Sequence, residues 1–187
     1  MSRAPAKRGG AGRADAVGDL AEYNRKRDFK KTNEPAGGDL KNAGGMFVVQ
    51  KHAATRLHYD FRLEHDGVLM SWAVPQGPSL DPTVKRLAMR TENHPLEYGS
   101  FEGVIPKGEY GAGAVIIWDT GRVQWLLDPD VGMAKGELKF VLAGERLQGE
   151  FHMVKIKPRE GERGNPWLLF KSKDAFAGKE DPVARSV

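Results

Sequence analysis

Apolar and ionisable residues alternate along residues 56–64. The apolar set is Leu57, Tyr59, Phe61 and Leu63, and the ionisable set is Arg56, His58, Asp60, Arg62 and Glu64. Because successive side chains of a β-strand point to opposite faces, the pattern predicts a strand whose apolar set enters a core. A solvated charged face is the commonest origin of such alternation. Four of the five histidines lie between residues 52 and 94, however, and this clustering favours a chemical site.

From residue 46 onward, short apolar runs alternate with turn residues. Nine strands are predicted, at residues 46–49, 57–63, 68–74, 87–91, 114–118, 122–126, 136–142, 149–156 and 167–171. Asp66-Gly67 predicts a tight hairpin, and Thr120-Gly121 and Ala143-Gly144 predict two more turns. After residue 45 there is no strong amphipathic helix and no helical crossover of the kind that a doubly wound fold needs. We therefore predict an all-β fold, an antiparallel closed β-barrel, because closure removes exposed strand edges.

The first 45 residues differ in composition from the rest. We expect a disordered basic tail over 1–16, a basic N-terminal arm over 17–45 with a short helix within 19–31, a barrel over 46–175 and a C-terminal tail over 176–187. Residues 1–45 hold ten Lys/Arg and six Asp/Glu, whereas residues 46–187 hold nineteen of each. The whole net charge of +4 therefore lies in the arm. A basic arm favours a polyanionic partner such as nucleic acid, and a merely solvated tail is the alternative.

Composition excludes several classes of site. The chain has no cysteine, which rules out disulfides, thiolate zinc sites and a cysteine nucleophile. No apolar run approaches the ~20 residues of a membrane span, and the N-terminus lacks the apolar core of a secretory signal. We expect a soluble, cytoplasmic chain with no membrane partner.

Two imidazoles and a carboxylate could form a divalent metal site. His58 and Asp60 share one face of the predicted strand, and His52 lies in the preceding segment. Such a set leaves open positions for water and a substrate oxygen, and it suits manganese, iron and zinc alike.

Arginines near these residues point to phosphate. Arg62 follows Asp60 on the same face, and Arg86 begins a later strand. A planar guanidinium grips phosphate with two hydrogen bonds, and a metal with one or two arginines neutralises charge in phosphoryl transfer. His94, with Tyr98 four residues on, could donate a proton or stabilise a phosphate oxygen.

Other patterns carry less chemistry. The glycine-rich segment 103–113 lacks the order of a phosphate-cradling loop and is interpreted as a structural turn. His65 and His152 are interpreted as non-catalytic.

Six ordered motifs resemble the 3′-phosphoesterase module of bacterial DNA ligase D. They are QKHAATRLHYDFRL at 50–63, SWAVP at 71–75, DPTVKRLA at 81–88, ENHPLEY at 92–98, FEGVIP at 101–106 and GEYGAG at 108–113. The resemblance implies a β-barrel with manganese-dependent 3′-end-healing activity. A 3′-terminal ribonucleoside would be removed to leave a 3′-phosphate, which would then be hydrolysed to a 3′-hydroxyl. It also implies action on primer-template or duplex DNA 3′ ends in non-homologous end joining, with a DNA ligase and end-binding repair proteins as partners, and hence a nucleoid-associated location.

The resemblance also assigns roles to residues. The implied metal ligands are His52, His58 and Asp60. The implied catalytic and phosphate-binding groups are Arg62, Arg86, His94 and Tyr98, with Glu92 in support. The implied arm residues, important for the phosphomonoesterase step, are Arg27, Asp28 and Glu34, within a motif completed by Phe29, Thr32 and Pro35.

One position departs from the family pattern. Members commonly read VPKGP where residues 74–78 read VPQGP, so the neutral Gln76 replaces a cation that would help to hold a 3′-phosphate. We expect a weaker or altered phosphomonoesterase step.

Two other functions remain open at this point. His58, Asp60 and a distal His94 match the ligand pattern of non-haem iron oxygenases. A module that binds DNA ends without chemistry would also explain the basic arm.

Overall fold

The structure is a computed structural model and describes residues 19–27 and 45–183. The strands are β1 Met46–Ala53, β2 Leu57–His65, β3 Val68–Val74, β4 Arg86–Pro95, β5 Gly103–Ile105, β6 Gly113–Trp125, β7 Glu137–Ala143, β8 Gln148–Lys155 and β9 Pro166–Lys171. Two short helices, α1 Ala21–Arg25 and α2 Pro129–Lys135, and a 3₁₀ turn, Leu96–Ser100, complete the described elements.

The strands form a closed antiparallel barrel, which confirms the predicted fold class. Their order is β1-β2-β3-β4-β9-β8-β7-β6, and β6 pairs back with β1 to close a ring of eight strands. The short β5 pairs with the start of β6 outside this ring. Within the described residues, no helix is both long and apolar enough to cross a membrane.

Alternate residues of the strands fill the barrel interior. Tyr59, Phe61 and Leu63 of β2 are buried there as predicted. Leu57 is 48% exposed, so the prediction that it enters the core was wrong. The reason is its place as the first residue of β2, beyond the packed interior.

Two features of the middle of the chain differ from prediction. Residues 114–118 and 122–126 belong to one continuous strand, β6, and not to two strands joined at Thr120-Gly121. Gly121 allows β6 and β7 to approach each other closely, because a Cβ there would lie 2.0 Å from the carbonyl oxygen of Ala143. Residues 103–105 of the segment interpreted as a turn form β5.

Helix α2 was not predicted, although its boundary residues are typical of a helix. The Asp128 carboxylate accepts a hydrogen bond from the Asp130 N–H at 2.9 Å, and Pro129 occupies the first turn. Gly136, with φ of +80°, ends the helix in the left-handed conformation.

The predicted Asp66-Gly67 hairpin is confirmed. It joins β2 to β3, and its two residues have φ of 52° and 77°. The turn predicted at Ala143-Gly144 likewise joins β7 to β8.

Helix α1 packs on the outside of the barrel. It ends at Arg25 and is therefore shorter than the predicted 19–31, and residues 28–31 lie outside the described part of the chain. Tyr23 is fully buried against an outer cluster made by Val48, Leu69, Leu96 and Tyr98. This second small core covers the ionisable face of β2.

Candidate metal centre

The ionisable face of β2 is buried beneath α1 and the segment that follows β4. Asp60, Arg62 and Glu64 are 7%, 3% and 8% exposed. Burial of three charged side chains on one strand is costly unless each is paired. A solvated charged face is therefore excluded for these three residues.

His52, His58 and Asp60 form a compact group. One donor atom from each lies within 4.8 Å of the others. His52 Nδ1 lies 3.3 Å from Asp60 Oδ2, and His58 Nε2 lies 3.2 Å from Asp60 Oδ1. The register explains the convergence, because His52 pairs with His58 across β1 and β2 while Asp60 is two residues further along the same face.

The charges of the group fit a divalent cation. Burial alone would raise the pKa of Asp60, but Arg62 and the two histidines outweigh it and hold that pKa far below its usual range. Burial would lower the pKa of His58, yet the Asp60 carboxylate raises it. An ionised carboxylate flanked by two imidazoles is a donor set that divalent transition metals accept.

Arg62 lies beside this group and is rigidly held. Its Nη2 lies 3.5 Å from Asp60 Oδ2, and its Nε donates to Gln50 Oε1 at 2.7 Å. Gln50 in turn donates to the carbonyl oxygens of Tyr98 and Phe101. Among the described residues, the buried Nη1 of Arg62 has no hydrogen-bond partner. This donor is therefore available to an anion.

His94 is buried next to two arginines. Its Nδ1 lies 2.9 Å from the Glu92 carbonyl oxygen, so Nδ1 carries the proton, and its Nε2 lies 3.2 Å from Arg27 Nη2. Burial, Arg62 and Arg27 all lower the pKa of His94 well below its usual value. The imidazole is neutral at neutral pH.

Glu92 anchors α1 to the site. Its carboxylate accepts hydrogen bonds from Lys26 at 3.0 Å and from Arg27 at 3.2 Å. Burial would raise the pKa of Glu92, but its own backbone N–H, Lys26 and Arg27 lower it overall. Lys26 also lies 4.6 Å from the ring centroid of Tyr110.

These residues surround one pocket of about 280 Å³. The lining includes the predicted residues Arg27, His52, His58, Asp60, Arg62, Glu92, His94 and Tyr98. The Tyr98 ring lies 4.7 Å from that of His94 and 4.8 Å from the Arg62 guanidinium. The structure thus brings most of the predicted site together.

Arg86 and Gln76 do not line this pocket. They lie in a separate depression beside Lys85 and Leu87, where Arg86 Nη1 donates to Gln76 Oε1 at 2.6 Å. Asp28 and Glu34 lie outside the described residues.

Four contributors to the site were missed from sequence. Lys26, Tyr110 and Gly111 come from segments far from β2 in the chain, and the Gly111 carbonyl oxygen lies 2.6 Å from His52 Nε2. Gln50 could have been found, because it stands two residues before His52 and so shares its face.

Comparison with known proteins confirms the family resemblance of the sequence motifs. The family model of the DNA ligase D 3′-phosphoesterase domain matches residues 50–155. The multifunctional non-homologous end joining protein LigD of Pseudomonas aeruginosa is 54% identical over 165 residues, which cover 87% of this chain and 19% of that protein. LigD proteins of Mycobacterium tuberculosis and Mycolicibacterium smegmatis are each 44% identical, over 83% and 88% of this chain and 20% and 22% of theirs.

The chain belongs to the DNA ligase D 3′-phosphoesterase domain family. It spans about a fifth of the length of the curated relatives it matches.

Proposed function

We propose that this chain is a metal-dependent phosphoesterase that heals DNA 3′ ends for non-homologous end joining. It removes a 3′-terminal ribonucleoside and then hydrolyses the resulting 3′-phosphate to a 3′-hydroxyl. The observation that carries the proposal is the His52, His58 and Asp60 group with the unpartnered Nη1 of Arg62 beside it. Membership of the phosphoesterase family supports it.

His52, His58 and Asp60 hold the metal, for which we propose Mn²⁺. A divalent ion bound there supplies positive charge that polarises a phosphoryl oxygen and makes bound water a stronger nucleophile. With these three protein ligands, such an ion would also have positions for water and substrate.

Arg62 holds the scissile phosphate. Its buried Nη1 has no partner in the part of the chain that the structure describes, while Nε donates to Gln50 and Nη2 lies beside Asp60. A charge-assisted hydrogen bond to a phosphate oxygen satisfies this donor and positions the phosphorus.

His94 handles a proton at Nε2. Without substrate it is neutral, because Arg62 and Arg27 oppose its protonation. A bound phosphate neutralises those arginines, so the imidazole becomes easier to protonate at Nε2 and can donate to the leaving oxygen. In the first step the P–O5′ bond of the terminal ribonucleoside breaks, water adds to phosphorus, and the departing O5′ takes the proton.

The second step depends on how firmly a terminal phosphate is held. Arg27, Asp28 and Glu34 of the arm are proposed to support it, together with Tyr98 in the pocket and with Arg86, which lies outside the pocket in the depression that it shares with Gln76. Gln76 offers Arg86 an amide oxygen where a lysine would offer the phosphate a cation. We therefore propose that the phosphomonoesterase step is weaker here than in relatives with lysine.

DNA primer-template or duplex 3′ ends are the proposed substrates, and a DNA ligase and end-binding repair proteins the proposed partners. The names of the relatives, which describe end-joining proteins, support this part of the proposal.

One assay tests the chemistry. A labelled primer-template with a single 3′-terminal ribonucleotide is incubated with and without Mn²⁺, and the products are resolved by gel electrophoresis. Sequential appearance of 3′-phosphate and 3′-hydroxyl ends only with Mn²⁺ is expected. Binding without cleavage under any divalent metal would instead favour an end-binding module, and turnover requiring iron and 2-oxoglutarate would favour an oxygenase.

In the same assay, Gln76→Lys should raise the rate of the second step relative to that of the first. An unchanged ratio of the two rates would leave Gln76 without a role.

A further inference from the structure

The face of the barrel that carries the metal ligands continues across three neighbouring strands. Asp60 of β2 pairs with Ala73 of β3, and Ala73 pairs with Met89 of β4. Leu87, two residues before Met89, pairs with Leu168 of β9. Since paired residues point to the same face, these side chains lie on the outer surface next to the site. Ala73 itself lines the pocket.

This surface is apolar and incompletely covered. We call Leu87, Met89, Leu168 and Phe170 the outer strip. Leu87 is 43% exposed, and the other three are partly exposed. Phe170 shares the face of Leu168, because it lies two residues further along β9. The strip therefore offers an aromatic ring and aliphatic side chains beside the pocket.

Positive charge lies at the edge of the strip. Lys85 Nζ is 5.4 Å from the centroid of the Phe170 ring. Two carboxylates lie near these side chains: Glu150 contacts His152, whose ring lies 5.5 Å from that of Phe170, and Asp181 pairs with Arg86 at 3.8 Å. Aromatic side chains beside cations are the usual means by which proteins hold single-stranded nucleic acid.

We propose that the outer strip binds the DNA strand that carries the 3′ end, with bases against Phe170 and Leu168 and a phosphate at Lys85. This inference rests on the proposed function, because it assumes that the 3′ end enters the pocket. From β2 to β9 is three strand spacings, or about 14 Å, and Phe170 lies four residues, or about 13 Å, along β9 from Pro166, which is in line with Asp60. The combined distance of roughly 19 Å accommodates about six nucleotides upstream of the end at about 3.4 Å each.

Binding of single strands tests the strip. Labelled oligonucleotides of about two and about eight nucleotides, each with a 3′-phosphate, are titrated with protein in EDTA and followed by fluorescence anisotropy. The wild type should bind the longer strand more tightly. Phe170→Ala should weaken binding of the longer strand on the order of 5-fold or more and leave the shorter one unchanged, and Phe170→Trp should restore binding. Lys85→Glu should also weaken binding of the longer strand and reduce its salt dependence.

Phe176→Ala is the matched control. Phe176 is 52% exposed, follows β9 and lies against Gly149, which is not part of the strip, so its removal should leave both affinities unchanged. Equal affinity of wild type, Phe170→Ala and Lys85→Glu for the longer strand would overturn the proposal. If Phe170→Ala removes the preference for the longer strand, the proposed role of the strip is supported, whether or not the wild type cleaves the 3′ end. Failure of the wild type to cleave would overturn only the proposed function.

Discussion

The buried guanidinium of Arg62 is held in place by its neighbours. It is 3% exposed, and two of its three nitrogen atoms are already directed by Gln50 and Asp60. The third is thereby fixed in position for an incoming anion. Such preorganisation lets a guanidinium bind phosphate without losing further conformational freedom.

Arg62→Lys should therefore be damaging even though charge is kept. The ammonium group cannot replace the Nε bond to Gln50 and the Nη1 donor together. We expect the rate of 3′-ribonucleoside release to fall about 10-fold or more, the equivalent of one lost charge-assisted hydrogen bond of ~1.5–3 kcal/mol. A variant within about twofold of wild type would remove Arg62 from the phosphate.

His94 should make stability depend on pH. Its folded-state pKa lies well below the ordinary 6.5, so the unfolded chain takes up a proton there before the folded chain does. The free energy of unfolding should therefore fall as the pH drops below about 6.5, by at most ~1.4 kcal/mol per pH unit. Urea titrations of wild type and His94→Asn should show a shallower pH dependence for the variant. Identical slopes would contradict a buried, neutral His94.

At the scale of elements, α1 is held to the barrel by charge as well as by packing. Tyr23 supplies the apolar contact, and Glu92 of β4 holds Lys26 and Arg27, which directly follow the helix. Glu92 and the Arg27 side chain are 3% and 5% exposed, so this pair is buried. Breaking a buried pair is costly, because one charge remains uncompensated.

Glu92→Gln should therefore loosen α1. We expect faster hydrogen exchange at the backbone amides of Asn24 and Lys26, with little change in the barrel strands. Glu22→Gln is the control, since Glu22 pairs with Arg25 and Lys26 on the more exposed side of the helix. If both variants exchange alike, Glu92 does not hold the helix.

The elements also show what sequence can and cannot predict. The period-two alternation of β2 predicted its two faces, because strand geometry depends only on local order. Lys26 contacts Glu92 and Tyr110 over separations of 66 and 84 residues, which no local pattern encodes. The turn predicted at Thr120-Gly121 was wrong because Gly121 is needed for the close approach of β7, and not for a change of chain direction. Helix α2 was missed because its seven residues are too few for a helical period to appear.

For the whole molecule, the excess positive charge of the sequence lies before the barrel segment. Residues 1–18 hold four Lys/Arg and one Asp, whereas the barrel segment is balanced. The candidate site itself is assembled from residues at position 26 and beyond. Charge in the first 18 residues should therefore affect affinity for DNA and not the bond-breaking step.

Deletion of residues 1–18 should weaken primer-template binding and flatten its salt dependence. Each lost phosphate contact should reduce the slope of log K against log salt by about 0.9. A control that keeps residues 1–18 but has Arg3, Lys7, Arg8 and Arg13 replaced by Gln should show the same loss of affinity and of salt dependence as the deletion, if positive charge is what binds DNA. An unchanged salt slope in both would identify this segment as a solvated tail.

The central claim is that His52, His58 and Asp60 hold the metal that serves 3′-end hydrolysis. The most direct test compares Mn²⁺-dependent release of a 3′-terminal ribonucleoside by wild type, His58→Ala and His65→Ala. His65 is the matched control, because it ends the same strand but contacts Asp130 instead of the metal group. Wild type and His65→Ala should respond equally to Mn²⁺, while His58→Ala should stay at background at every Mn²⁺ concentration. Full Mn²⁺-dependent activity in His58→Ala would contradict it.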